Sequence, residues 1–215
     1  MEAMRPGLQP VALVRDLPIF RAGEPATHVW FPDHGVISIV ALDNRGTMIE
    51  IATVGRQGMT GFATVLGSDT MIYSAMVQVP GEGWRIETAS FRDVIQHHPA
   101  AQSLMLRYVL AAMTQMGQNA ACAQLHGAAA RCARWLLLAH DEVDGDEFPL
   151  TQDYLAMMLG ITRPSVSTAA SALQRAGLIR YLRGRITILD RSGLEAASCE
   201  CYRVVKRESD RLLGA

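Results

Sequence analysis

The chain has 215 residues, 49% of them apolar and 19% charged, with a formal net charge of −1. That length supports one large or two ordinary domains, each able to bury a core. No apolar run approaches the roughly 18 residues needed to cross a bilayer, and the start, Met1-Glu-Ala-Met-Arg-Pro-Gly7, lacks a basic stretch followed by an apolar block. Neither a membrane partner nor an export signal is therefore expected, and the location read is cytoplasmic. The four cysteines, Cys122, Cys132, Cys199 and Cys201, show no paired metal-ligand spacing. Cys199-Glu-Cys201 alone does not define a site, so reduced thiols, no metal and no cofactor are expected.

The charge is unevenly spread. Residues 1–149 hold 10 basic and 15 acidic residues, a net of −5, and residues 150–215 hold 10 and 6, a net of +4, which sum to −1. An acidic front and a basic back fit a chain whose last third meets phosphates. Arginine supplies 19 of the 20 basic residues, so arginine enrichment by itself carries no such meaning.

In chain order, residues 17 to 87 read as short strands and turns. Phe20-Arg-Ala-Gly-Glu-Pro25 is a turn-rich lead-in; His28–Phe31, Gly35–Val40, Met48–Ala52, Ser74–Val79 and Trp84–Ile86 are strand-like. Asp43-Asn-Arg-Gly46 is a hairpin turn and Val54-Gly-Arg-Gln-Gly58 a second turn. Strands of this length between glycine-rich turns predict a jelly roll or small barrel. Thr88–Ile95 reads as a capped helix ending before Pro99. A helix over roughly 100–125 follows, in which Leu106, Leu110, Met113, Gly117 and Ala120 step by 4, 3, 4 and 3, the a/d rhythm of a coiled coil. Such a stripe packs either on its own β domain or on a second copy. A long helix between two domains favours the second, a symmetric dimer seam. The next helix runs from Ala128 to about Val143 and carries Trp135, Leu136 and Leu138. Asp141–Glu147 is an acidic loop without EF-hand ligand spacing and reads as solvated.

Residues 150–179 carry the most chemistry. Thr151 is an N-cap, and Leu155, Ala156 and Leu159 recur at helical spacing. Gly160 supplies a tight turn, with Ile161 tucked beneath it. A second helix opens around Thr162-Arg163-Pro164, its regular part starting at Pro164, since proline suits a first turn and disfavours helix in the residue before it. Val166, Ala169, Ala170 and Leu173 form its apolar stripe. Thr162, Arg163, Ser165, Ser167, Thr168 and Ser171 lie on other faces, a hydroxyl-rich surface with almost no acid that suits phosphate and base-edge contact. Gly177 caps the helix, and Ile179–Leu189 alternates as two strands turning near Gly184, studded by Arg180, Arg183 and Arg185. The order is that of a winged helix-turn-helix, and the DNA-binding set is Thr151, Thr162, Arg163, Ser165, Ser167, Thr168, Ser171, Arg183 and Arg185.

Two other readings compete. One is a sensor that acts through protein contacts and carries a degenerate DNA domain. The other is a cupin-type enzyme, which needs several converging histidines, whereas His28 and His34 are the only two in the β region. No Walker loop, G-x-G-x-x-G, H-E-x-x-H or G-x-S-x-G occurs, so no catalytic residues are assigned and no enzyme is expected.

With β-roll, long helix and winged helix-turn-helix in that order, the chain resembles the Crp/Fnr family of bacterial transcription regulators from about residue 17 to 190. The most specific pieces are Gly58-Met-Thr-Gly61, Ala133-Arg-Trp-Leu-Leu137 and Leu159-Gly-Ile-Thr-Arg-Pro-Ser-Val166. The resemblance implies an α+β protein with a jelly-roll (double-stranded β-helix) sensor domain over 1–98. A dimerisation helix over 99–126 and a winged helix-turn-helix domain over 127–215 complete it. It implies a homodimer on a palindromic double-stranded DNA operator, with RNA polymerase as a further partner and an effector in the roll. The effector pocket would be formed by Gly58, Met59, Thr60, Gly61, Tyr73, Ser74, Gln118 and Asn119.

The cassette departs from the family pattern. Cyclic-nucleotide members carry Gly-Glu and then Arg-Ser or Arg-Thr, where this chain has Gly58-Met59 and Tyr73-Ser74. Without the arginine a buried phosphate is left unpaired, at a cost of several kcal/mol, so tight cyclic AMP binding is not expected and any small-molecule effector is of unknown type. No cysteine precedes Cys122, which removes the N-terminal iron–sulfur cluster of other members. Haem would need His28, His34, His97 or His98, which read as surface or turn residues. The recognition helix departs too. Many members show Arg-Glu-x-x-x-Arg where this chain has Arg163-Pro-Ser-Val-Ser-Thr168, so the family's familiar half-site does not carry over.

Overall fold

A pair of long, bent strands organises the first half of the chain. In the computed structural model, which describes residues 2–44 and 46–214, a 3-10 turn at Glu2–Gly7 leads into β1 (Gln9–Leu13) and β2 (Pro18–Phe20). β3 (His28–Leu42), β4 (Met48–Val54), the short α1 (Phe62–Val65) and β5 (Ser74–Glu87) follow. The sheet order is β1-β5-β3-β4, with β2 also on β5. Four of the expected short strands are thus two. β3 and β5 pair antiparallel from His28↔Glu87 to Val40↔Ser74, with register shifts around Pro32, His34 and Val36. The expected gaps after Phe31 and Val79 are bends within continuous strands. A Cβ on Gly81 would lie 2.1 Å from the His34 carbonyl oxygen, so only glycine lets the strands approach there. The hairpin turn between β3 and β4 is closed by Asp43, whose Oδ1 accepts from Thr47 N at 2.8 Å. Arg45 of that turn, like Met1 and Ala215, lies outside the described residues.

α2 (Thr88–His97) begins after Glu87 without a side-chain cap, and the Thr88 hydroxyl donates instead to the Ala26 carbonyl at 2.6 Å. That corrects the reading of a capped start. α3 (Pro99–Leu125) is the long helix, with proline in its first turn. Met105, Tyr108, Val109, Ala111 and Cys122 are its buried residues.

The second half is α4 (Ala128–His140), β6 (Glu147–Pro149), α5 (Gln152–Leu159), α6 (Arg163–Arg175), β7 (Ile179–Leu182) and β8 (Arg185–Ile188). α7 (Arg191–Ala197) and α8 (Cys201–Leu213) close the chain. α4 ends at His140, three residues before the expected end. The acidic stretch after it is not simply solvated. Asp141 accepts from Arg191 at 2.6 Å and from Tyr202 Oη at 2.9 Å. Glu142 accepts from the Arg56 backbone at 2.7 Å, its carbonyl takes Gly35 N at 2.9 Å, and Glu147 belongs to β6, facing Thr187 of β8. Acid–base partners distant in sequence turn this loop into a joint between the halves.

The main core crosses that joint. Trp135, Leu136 and Leu137 of α4 and Leu155, Val166 and Ile186 pack in one cluster with Val36, Val40 and Val79 of the roll. Burying such side chains contributes roughly 1.5–3 kcal/mol each. α8 then turns back along α3, so that Val205 and Ser209 lie beside Ala111 and Gln115, and Leu213 near Met105 and Tyr108.

Candidate nucleic-acid interface and effector pocket

The helix pair is built as its sequence directs. Thr151 Oγ1 accepts from Tyr154 N at 3.1 Å to cap α5, and Gly160 ends that helix in the left-handed region at φ 61°. Thr162 caps α6: its Oγ1 accepts from Ser165 N at 3.4 Å and sits 2.9 Å from Ser165 Oγ. Helix α6 therefore starts at Arg163, one residue before the expected start, because the Thr162 cap lets Arg163 enter the helix with Pro164 inside its first turn. Val166, Ala169, Ala170 and Leu173 are buried, as their spacing predicts.

The opposite face is open. Pro164, Thr168, Ser171 and Arg175 are all exposed, at i, i+4, i+7 and i+11 along one side of α6. Ser165 and Ser167 flank this stripe and are half-buried. Thr168 Oγ1 donates back to the Pro164 carbonyl at 3.0 Å, leaving its lone pairs outward. Arg175 is absent from the residues picked by sequence, although its spacing on the polar face would have found it. Arg163 is also exposed, and its Nε lies 3.3 Å from Asp153 Oδ1 of α5. The surface is thus not free of acid: Asp153 pairs with the guanidinium beside the helix start.

The wing turns on Arg183-Gly184, at φ 50° and 75°, which makes a two-residue hairpin with both turn residues left-handed. Arg183 stands exposed at the tip, while Arg185 is ion-paired with Glu147. That pairing holds the Glu147 carboxyl below its usual range. The wing is fastened to the helices, since Leu150 N donates to the Gly184 carbonyl at 2.8 Å and Tyr181 Oη to the Leu150 carbonyl at 3.0 Å. Helix face and wing tip therefore present hydroxyls and arginines from one rigid unit.

The residues assigned to an effector pocket do not gather around one space. Gly58 and Met59 line a cleft of about 860 Å3 together with Phe31, Leu104, Tyr108 and Leu213. Met59 is itself 2% exposed, and its carbonyl accepts from Tyr108 Oη at 2.8 Å. Thr60 is buried, with Oγ1 taking Trp30 N at 3.0 Å, and Gly61 precedes α1 at φ 71°. Tyr73 lines a small separate cavity, and Ser74 Oγ accepts from Ala22 N at 3.0 Å. Gln118 donates to Cys201 Sγ at 3.1 Å. Asn119 bridges the Ile51 carbonyl, at 2.9 Å, and Arg134, at 2.7 Å. Between the roll and α3, where Ala52 and Val54 face Ala111 and Gln115, the cavity is about 50 Å3. That is room for water, not for a nucleotide.

Leu106, Leu110 and Met113 of α3 are 47%, 48% and 61% exposed, and Gly117 and Ala120 continue the exposed line. α8 occupies a different face of the helix. The a/d stripe is therefore uncovered within one chain.

Two family models match this chain: a cyclic nucleotide-binding domain over residues 11–98 and a Crp-like helix-turn-helix domain over residues 130–197. The chain is 27% identical over 186 residues to the HTH-type transcriptional regulator Cmr of Mycobacterium tuberculosis, covering 83% of this chain and 71% of that one. It is 24% identical over 194 residues to the transcriptional regulator SdrP of Thermus thermophilus, covering 85% and 94%. Among solved structures, FixK2 from Bradyrhizobium japonicum shares the fold at a TM-score of 0.73 and 16% identity, over 89% of this chain and 98% of that one.

Proposed function

The chain belongs to the Crp/Fnr family of DNA-binding transcription regulators, and on that premise we propose that it works as a homodimer on a palindromic operator without cyclic AMP. The observation that carries the reading is the exposed stripe Pro164–Thr168–Ser171–Arg175 beside Arg163 and the wing tip Arg183. A major groove admits one helix, whose side chains reach base edges while flanking arginines take phosphates. Leu106, Leu110, Met113, Gly117 and Ala120 form the seam with a second copy, which places two recognition helices about one turn of DNA apart. No described helix is long and apolar enough to cross a membrane.

The effector space differs from that of a nucleotide sensor. Met59 and Tyr73 stand at the positions where the resemblance expects charged ligand contacts, and the space between Ala52, Val54, Ala111 and Gln115 is nearly filled by the chain's own atoms. If a small molecule is sensed, the larger cleft near Gly58 and Tyr108 is its place. Fluorescence anisotropy of labelled duplexes over a salt series tests the DNA reading. Affinity falling steeply with salt supports it, and no measurable duplex binding at low salt refutes it. Sedimentation velocity tests the dimer.

A further inference from the structure

Four side chains that the sequence keeps apart meet at the end of α3. Cys122 lies in the last turn of that helix and His126 one turn on, at its C-cap; Cys199 and Cys201 flank Glu200 where α8 begins. Their ligand atoms all lie within 4.8 Å of one another, and the three thiols are buried. Cys122 Sγ is 3.5 Å from Cys199 Sγ, and Cys201 Sγ is 3.5 Å from His126 Nδ1. The edge of a tetrahedron with metal–sulfur bonds of about 2.3 Å is about 3.8 Å, so these separations need little adjustment around one ion.

The surroundings are those of a ligand set. His126 Nε2 is 3.3 Å from Glu200 Oε1, a carboxylate that would take the Nε2 proton's hydrogen bond and leave Nδ1, on the thiol side, free to bind metal. Gln118 Nε2 donates to Cys201 Sγ at 3.1 Å. The buried Arg134 guanidinium acts electrostatically on Cys122, and its Nε has no hydrogen-bond partner among the described residues. A divalent ion with three thiolates and a neutral imidazole carries a net −1, which this cation balances.

We propose that Cys122, His126, Cys199 and Cys201 bind one zinc ion in a closed tetrahedral site that fastens α8 to the junction between α3 and α4. Three soft sulfurs and one imidazole select zinc among common divalent ions, and a full protein ligand set leaves no open position for catalysis. On binding, the thiols lose their protons to solvent and no electron is transferred. Gly127, immediately after His126, is the junction between α3 and α4. An ion there ties the winged domain's tail to the proposed dimer helix, so metal supply would bear on how the two halves are held.

The test uses full-length protein prepared under reducing conditions. Elemental analysis should find about one zinc per chain, and cobalt exchanged into the site should show the visible bands and sulfur charge-transfer absorption of a tetrahedral thiolate complex. Cys199→Ser should abolish that spectrum, Glu200→Gln should weaken zinc about ten- to hundred-fold, and Cys132→Ser, outside the cluster, should change neither. Chelation should speed hydrogen exchange in residues 199–213. Trace metal and no cobalt spectrum in folded, reduced wild type overturns the site. So does metal content unchanged in Cys199→Ser, or a disulfide among these cysteines in the protein as isolated from cells. The wild-type spectrum decides even if a variant fails to fold.

Discussion

Trp135 Nε1 donates a hydrogen bond to Glu50 Oε1 at 2.8 Å, joining the first helix of the DNA-binding half to β4 of the roll. Glu50 is buried and also meets Ser38 Oγ at 2.6 Å, which in turn contacts Gln78 and, at 3.6 Å, Met158 Sδ of α5. One hydroxyl proton cannot serve both Glu50 and Gln78. Either Glu50 carries a proton and donates to Ser38, or the Gln78 amide turns its NH2 inward. Burial pushes the Glu50 carboxyl from 4.5 to about 7, against the lowering effects of Ser38, Trp135 and Arg134.

That shift predicts a pH dependence. Between about 4.5 and 7 the folded chain binds more protons than the unfolded one, so Glu50's contribution is full at the acid end and lost as pH rises through about 7. The difference is about 3 kcal/mol. Melting temperatures measured across this range should fall with rising pH by this component, and Glu50→Gln should flatten it. An unaltered slope in Glu50→Gln contradicts the assignment.

On the DNA face, Arg163→Ala should weaken binding to a selected operator by about 1–3 kcal/mol and relax its sequence preference. Arg175→Ala should instead weaken all duplexes alike and lower the salt slope by about one per protomer. Titrations of both variants at fixed salt separate the roles. Equal loss of specificity in the two would show that the helix is docked differently.

For the seam, Leu110→Glu places a carboxylate in the middle of the exposed stripe, where like charges from two copies would face each other. Leu110 is 48% exposed, so the isolated fold should tolerate the change. Sedimentation should show the dimer Kd raised by about a hundredfold or more, equivalent to about 3 kcal/mol. A variant as dimeric as the parent would move the interface elsewhere.

Calorimetric titration with cyclic AMP should give no saturable heat, because Met59 and Tyr73 stand where the resemblance expects an acid for the ribose and an arginine for the phosphate, and a buried phosphate without its arginine is left unpaired. Micromolar affinity would contradict this.

Local rules made the helix-turn-helix legible. Thr151, Gly160 and the Val166–Leu173 stripe act within a few residues of themselves, and each stands as its sequence implies, whereas Thr162 caps a helix that starts one residue earlier than read. The exposed line Leu106, Leu110 and Met113 of α3 follows from local spacing for the same reason. Long-range packing was not legible. The gaps at 32–34 and 80–83 separated strands in the sequence reading because nothing local distinguishes a bend from an end. Asp141 and Glu142 read as solvated because their partners, Arg191, Tyr202 and Arg56, lie far along the chain. Cys122 and Cys199 are 77 positions apart, and only the return of α8 along α3 brings them together.

The central claim is that this chain reads a two-fold symmetric DNA site as a dimer. Selection of bound duplexes from a random pool by the purified protein tests it most directly. The account predicts enrichment of an inverted repeat whose half-site centres lie about 10 base pairs apart. A pool that stays random, or yields only a single unrepeated half-site, would contradict it.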